Sequence, residues 1–276
     1  TTLEQCLKET NEIGFSGIEA GGKFPKNSNE LIPKLEKENL KLCSGWYGAN
    51  LLKNTVKEEI LVMKDQLDLF KECNAPCMVV AEVSGSIQGE VKIPLSKRPI
   101  LNMDEWKTFY NKISEISKYM EDTGVPLAYH HHMGTVVQSQ EDTERLIDNT
   151  SDTVKLLIDT GHMMFAGGDF VKIAKDYSSR LQHVHCKDIR KDVLDMSLKN
   201  DLSFIDAFFA GAFTVPGDGC INYENFLKIL KNFNYKGWLV VEAEQDPKKA
   251  NPFEYGKIGF NHLKKIALDC GFEITR

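Results

Sequence analysis

The feature that most constrains this chain is a repeated order in which short apolar runs end in ionisable side chains and are separated by stretches of helical spacing. Pro126 to His131, Val154 to Asp159, Leu181 to Lys187 and Gly237 to Glu242 each have an apolar body and a polar end. Helical patterns beginning near Glu141, Asp169, Tyr223 and Pro252 fill the intervals. Strand and helix alternating in this way predict a parallel sheet with crossover helices. Upstream, Leu3, Cys6, Leu7 and Ile13 recur at helical spacing until Gly14, and Gly17 to Ala20 is short and strand-like. A helix follows from about Ser28, whose hydroxyl is expected to cap it, and then a strand from Leu40 to Trp46. Helix Val56 to Glu72 leads into strand Met78 to Glu82; Asp104 is placed to cap a helix that runs to Asp122 and stops at Gly124.

That count is seven strands. A closed barrel needs eight, so a (β/α)8 reading requires a first strand lying upstream of Thr1 in a longer parent chain. An open doubly wound sheet is the alternative. No repeat, low-complexity tract or linker divides the chain, and residues 1–276 are expected to form one domain. The stretch from Asp188 to Gly219, with Phe204, Phe208, Phe209 and Phe213, is too long for a simple loop. It predicts an inserted helical cover over the site.

Composition narrows the partners. A net charge of -6 gives no basic face for a nucleic acid, and no run approaches the roughly eighteen apolar residues of a membrane span. Without a signal-peptide pattern at Thr1 to Glu4, the expected compartment is the cytoplasm. Assembly into a homo-oligomer is left open. Seven scattered cysteines lack disulfide or zinc-knuckle spacing and are read as reduced thiols. Cys186 should point away from its neighbours on the strand.

Six of the seven histidines fall in three clusters, His130 to His132, His162, and His183 with His185, all at or just beyond a strand's C-terminal end. In a parallel barrel those ends share one mouth, where catalytic groups belong. Asp159 and Glu242 reach the same face. His130, Asp159, His185 and Glu242, from four strands, make a mixed nitrogen and oxygen shell suited to Mn²⁺, Co²⁺ or Zn²⁺. Which of His130, His131 and His132 ligates is open; alternation sends His130 and His132 to one side and His131 to the other. Asp159 could instead cap the following turn, and His162 could serve as a hydrogen-bonding support. His183 is expected to be interior. Glu82 holds the same place on its strand as Glu242 and is a proton-transfer candidate, as is Lys187, which follows His185 by two residues.

His185-Cys186-Lys187-Asp188 resembles the His-x-Lys-Asp signature of the xylose-isomerase-like sugar isomerase and epimerase superfamily, and Ile158-Asp159-Thr160-Gly161-His162 its Asp-Thr-Gly-His strand end. Ala128 to Thr135, Phe213 to Gly219 and Gly237 to Pro247 resemble the myo-inosose-2 dehydratase family more narrowly, and Gly17 to Gly22 is similar to that family's second strand. The resemblance implies a TIM barrel and a metal-dependent lyase that removes water from a cyclic keto-polyol, 2-keto-myo-inositol (scyllo-inosose), with Mn²⁺ or Co²⁺ ahead of Zn²⁺. In the wider superfamily the first ligand is usually a glutamate where this chain has His130. That departure removes one carboxylate of an epimerase acid/base pair and favours the lyase. Lys187, His132 and Glu82 are then the proton-transfer candidates; Trp46, Glu19, His162, Glu244 and Gln245 are expected to bind substrate. The competing readings are a metal-dependent ketose isomerase or epimerase, an abasic-site endonuclease, and a non-catalytic polyol binder.

Overall fold

The computed structural model describes residues 1–275. Seven strands, β1 (Gly17–Ala20), β2 (Lys41–Ala49), β3 (Met78–Glu82), β4 (Leu127–His130), β5 (Lys155–Asp159), β6 (Leu181–Cys186) and β9 (Leu239–Val241), form a parallel sheet in that spatial order. The helices between them are α1 (Leu3–Ile13), α2 (Ser28–Lys37), α3 (Val56–Glu72), α4 (Met103–Thr123), α5 (Gln140–Asp148), α6 (Thr160–Phe165), α7 (Phe170–Asp176), α10 (Tyr223–Asn232) and α11 (Pro252–Asp269). The strand count and order agree with the sequence pattern. β1 and β9 are the margins of the sheet, and a cavity of about 930 Å³ between them is lined by Gly17, Ile18, Glu19, Leu239 and Val241 among others.

The predicted insertion carries four small elements: β7 (Asp188–Ile189), α8 (Lys191–Lys199), α9 (Phe204–Ala210) and β8 (Phe213–Thr214). β7 and β8 pair antiparallel, and Phe204, Phe213, Leu194 and Ile189 pack with Met133 and Phe165 into a core of their own. It contains two helices and a ribbon, where the sequence suggested a helix.

Two caps differ from expectation. Asn27 caps α2 through its side-chain oxygen, while Ser28 turns to Glu72; Asn102 caps α4 in a capping box with Glu105. In both cases the residue one or two places earlier has the extended backbone that lets an oxygen reach back to the first free N–H groups. Gly124 ends α4 at φ 93, a left-handed position that costs a glycine little.

Alternation decides which strand residues meet. Met78, Val80, Leu127, Tyr129, Leu156, Ile158, Val184 and Cys186 pack outward into the helix layer, whereas Cys77, Val79, Ala128 and Leu157 form a separate inner cluster. The side chains sharing that inner parity at the strand ends are His130, Asp159, His183, His185 and Lys187. Cys186 faces the helix layer, as its position implied.

Candidate metal centre and substrate cavity

Glu19, Trp46, His130, His132, His185, Glu242 and Glu244 line a cavity of about 360 Å³ at the C-terminal ends of the strands, together with Ala20, Val79, Gln88 and Phe204. At its floor, one ligand atom each from His130, Asp159, His185 and Glu242 lies within 4.8 Å of every other. The strand register supplies this convergence: Asp159 pairs directly with His185, and His130 with Leu157.

Each imidazole is oriented by a partner that can only accept. His130 Nδ1 donates to the His131 carbonyl at 2.6 Å, which leaves the Nε2 lone pair facing Asp159 Oδ2 at 3.6 Å. His185 Nε2 lies 3.1 Å from Glu19 Oε1, which leaves Nδ1 facing Glu242 Oε2 at 2.8 Å and Asp159 Oδ2 at 3.6 Å. A carboxylate behind a ligating histidine fixes its tautomer and orientation. Asp159 Oδ2, His185 Nδ1 and Glu242 Oε2 are buried and make no hydrogen bond, although His185 Nδ1 and Glu242 Oε2 nearly touch and both carboxylate oxygens lie 3.3 Å from Lys187 Nζ. Unmatched buried polar atoms are costly. Ligand atoms this close together fit a shared divalent ion, and the mixed imidazole and carboxylate set is chemically suited to one.

Charge in the cluster follows from the same contacts. Burial alone would push Asp159 up, but the Lys187 ammonium and neighbouring imidazoles hold its carboxyl well below the usual range. Burial opposes a charged His185, yet Glu19 and Glu242 outweigh it and raise the imidazole well above its ordinary value. A proton on Nδ1 would therefore compete with any ion held there. His131 faces the other way, with Nε2 accepting from the Asp159 N–H at 3.3 Å, and burial lowers its pKa to about 3. His183 donates to Glu19 at 3.0 Å in the interior.

Behind the cluster sits Lys187. Its Nζ is 2.8 Å from Glu244 Oε2, 2.9 Å from His162 Nε2, and 3.3 Å from both Asp159 Oδ2 and Glu242 Oε2. The side chain is fully buried and does not line the cavity. His132 Nδ1 donates to the Met133 carbonyl at 2.9 Å, so its free Nε2 faces Glu244 Oε1 at 3.7 Å. Trp46 sets its ring edge-on to His130 and His132, with centroids 5.6 and 5.4 Å away.

Asp159 combines two roles that the sequence posed as alternatives. Oδ1 accepts the His162 N–H at 2.8 Å and caps α6, while Oδ2 faces the centre. Glu82 is not brought to the cavity. Its carboxylate accepts from Leu51 N at 2.6 Å and Ser84 N at 2.7 Å, with burial raising its pKa. Cys77 and Val79 have the inner parity on β3, so Glu82 points outward however close it lies to the strand end. Gln245 donates to Thr214 at 3.1 Å and is absent from the cavity lining, and His162 lies beneath it against Lys187. Gln88, not anticipated, enters the cavity from an irregular stretch and has a buried amide oxygen without a partner. No periodic signal marks such a residue.

Comparison with known proteins agrees with this architecture. The family model "Xylose isomerase-like TIM barrel" matches residues 7–266. The chain is 44% identical over 256 residues to inosose dehydratase 2 of Bacillus cereus, covering 92% of this chain and 86% of that protein. It is 42% identical over 275 residues to the rhizopine catabolism protein MocC of Rhizobium meliloti, covering 100% and 85%. Among solved structures, IOLI protein with a binding zinc atom superposes with a TM-score of 0.68 at 18% identity, covering 98% of this chain and 93% of that one.

Proposed function

The chain belongs to the xylose isomerase-like TIM barrel family, in the group that holds the inosose dehydratases and MocC, and on that premise we propose that it is a divalent-metal lyase dehydrating 2-keto-myo-inositol to a trihydroxycyclohexane-1,2-dione. The observation that supports the metal dependence is the convergence of Asp159 Oδ2, His185 Nδ1 and Glu242 Oε2, buried and without a hydrogen bond although in ionic contact with one another and with Lys187, beside the Nε2 of His130. Mn²⁺ or Co²⁺ suits this shell, with Zn²⁺ also accommodated. A bound ion supplies Lewis-acid polarisation of the ketone, worth several kcal/mol of charge stabilisation.

The chain's own groups do the rest. Glu19 orients His185, and the His131 carbonyl orients His130. Trp46 presents an apolar edge to the C–H face of a cyclitol, while Gln88 and Glu19 face its hydroxyls. His132 is the proton carrier in this reading, because its Nδ1 is committed to a carbonyl and its Nε2 lone pair opens on the cavity. Nε2 takes the proton from the carbon next to the carbonyl, and Glu244 steadies the resulting imidazolium. The C–O bond at the neighbouring carbon then breaks as the departing hydroxyl takes that proton and leaves as water. The enol that remains tautomerises to the dione. A positioned proton carrier contributes roughly 10²- to 10⁴-fold. Lys187 acts through Glu244 and touches no substrate.

This reading sets the reaction in the cytoplasm on a small cyclic keto-polyol; among the described residues no helix is long and apolar enough to cross a membrane. The test is incubation with scyllo-inosose, with and without chelator, read by mass. A product lighter by one water supports the lyase, one of unchanged mass supports an isomerase or epimerase, and dehydration that survives removal of the ion overturns the Lewis-acid role.

A further inference from the structure

Beside the four-residue centre is a second group with the composition of a metal site. His132, His162 and Glu244 also place one ligand atom each within 4.8 Å of one another. Two imidazoles and a carboxylate, each two or three residues beyond the end of a strand, match the donor chemistry of the first group. An ammonium binds two of the three, His162 and Glu244, while His132 lies against them, its ring centroid 4.0 Å from that of His162 and its Nε2 3.7 Å from Glu244 Oε1. Lys187 Nζ has a carboxylate oxygen at 2.8 Å, an imidazole nitrogen at 2.9 Å and two further carboxylate oxygens at 3.3 Å, the surroundings of a bound cation.

The lysine is held there from its backbone outward. Thr160 Oγ1 donates to the Lys187 carbonyl at 2.8 Å and accepts its N–H at 3.1 Å. Gly161 leaves room for the stem: a Cβ at that position would lie 2.7 Å from Lys187 Cγ and 3.0 Å from Cβ and Cδ. Phe213 closes the far side, its ring centroid 5.4 Å from Nζ. An ammonium so enclosed brings a single positive charge and N–H donors, with no exchangeable coordination position.

We propose that Lys187 is a built-in cation filling what would otherwise be a second divalent-ion site, formed by His132, His162 and Glu244, and that it keeps the centre mononuclear. The inference rests on the reading of His130, Asp159, His185 and Glu242 as the first site. It assigns to Lys187 the control of metal stoichiometry, apart from any effect on turnover.

The experiment counts ions. Wild type, Lys187→Ala, Lys187→Arg and the double variant Lys187→Ala/His162→Ala are equilibrated with Mn²⁺, desalted and analysed for manganese per chain, with thermal melts to establish folding. Wild type and Lys187→Arg should hold one ion, Lys187→Ala two, and the double variant one again. The paired ions of Lys187→Ala should also show a magnetically coupled Mn²⁺ spectrum absent from wild type. Lys187→Ser provides the vacated site should the alanine variant fail to fold. A folded Lys187→Ala or Lys187→Ser that still holds one ion overturns the proposal and leaves the first site intact. A folded wild type that holds no ion overturns the first-site reading and the proposal with it, an outcome distinct from one ion in wild type and one in Lys187→Ala, which overturns the proposal alone.

Discussion

Asp159→Asn separates the metal centre from the scaffold that carries it. Asn caps a helix as well as Asp does, so the bond that Oδ1 accepts from His162 N at 2.8 Å is retained by an amide oxygen of the same shape. The substitution instead removes the charge at Oδ2. In the ion-free protein that charge faces Lys187 Nζ at 3.3 Å, an attraction of about 5 kcal/mol at an effective dielectric near 20. Taking a carboxylate out of water costs several kcal/mol as well, so the two effects largely cancel. Glu242 and Glu244 continue to neutralise the ammonium. A net loss of at most about 2 kcal/mol follows, or roughly 4–8 °C in melting temperature. The ion suffers more. Loss of a hydrogen-bonded outer partner alone weakens metal sites about 10- to 100-fold, which makes 100-fold the lower limit for a ligand, about 2.7 kcal/mol. Calorimetric titration with Mn²⁺ gives the affinity, and melts in chelator give the scaffold. Undiminished Mn²⁺ affinity would remove Asp159 from the shell; collapse of the ion-free variant would show that its charge serves the fold first.

Three further outcomes follow from named contacts. Burial works against an ionised Glu19, but His185 and His183 more than offset it and hold the carboxyl below its ordinary 4.5, so its contribution is present above that value and is lost as the pH falls below it. Melts of the ion-free protein stepped down from neutral pH should show this acid limb, and Glu19→Gln should flatten it; an unchanged limb refutes the assignment. Glu82→Ala should cost about 2–4 kcal/mol by stranding the Leu51 and Ser84 N–H groups, with kcat at permissive temperature unchanged, whereas a large fall in kcat would return Glu82 to the chemistry. Iodoacetamide should label exposed Cys220 in the folded protein and spare Cys77, whose thiol burial pushes up to about 12; peptide mapping that finds Cys77 alkylated under native conditions contradicts its burial.

Much of the centre was legible because parallel strands deliver their last inward residues to one rim. His130, Asp159, His185 and Glu242 could be assembled from four apolar runs far apart in sequence, since each run displayed its own polar end. Glu82 shows where that reasoning fails: proximity to a strand's end does not fix its side, and only the inward packing of Cys77 and Val79 reveals the parity. Capping residues were displaced for a similar reason, because Asn27 and Asn102 compete with neighbours of similar chemistry and the backbone angle decides. Gln88 belongs to a segment without periodicity. The ammonium amid His162, Glu244, Asp159 and Glu242 depends on tertiary distances that no local pattern encodes.

β9 is three residues long and is hydrogen-bonded within the sheet along one side only, to β6, while its other flank borders the cavity that separates it from β1. The two carboxylates it delivers are thus mounted on a cantilever, opposite imidazoles mounted on a braced wall. A clamp built this way opens at its weaker jaw: an ion held at the first site should exchange by excursions of Glu242 while His130 and His185 hold station.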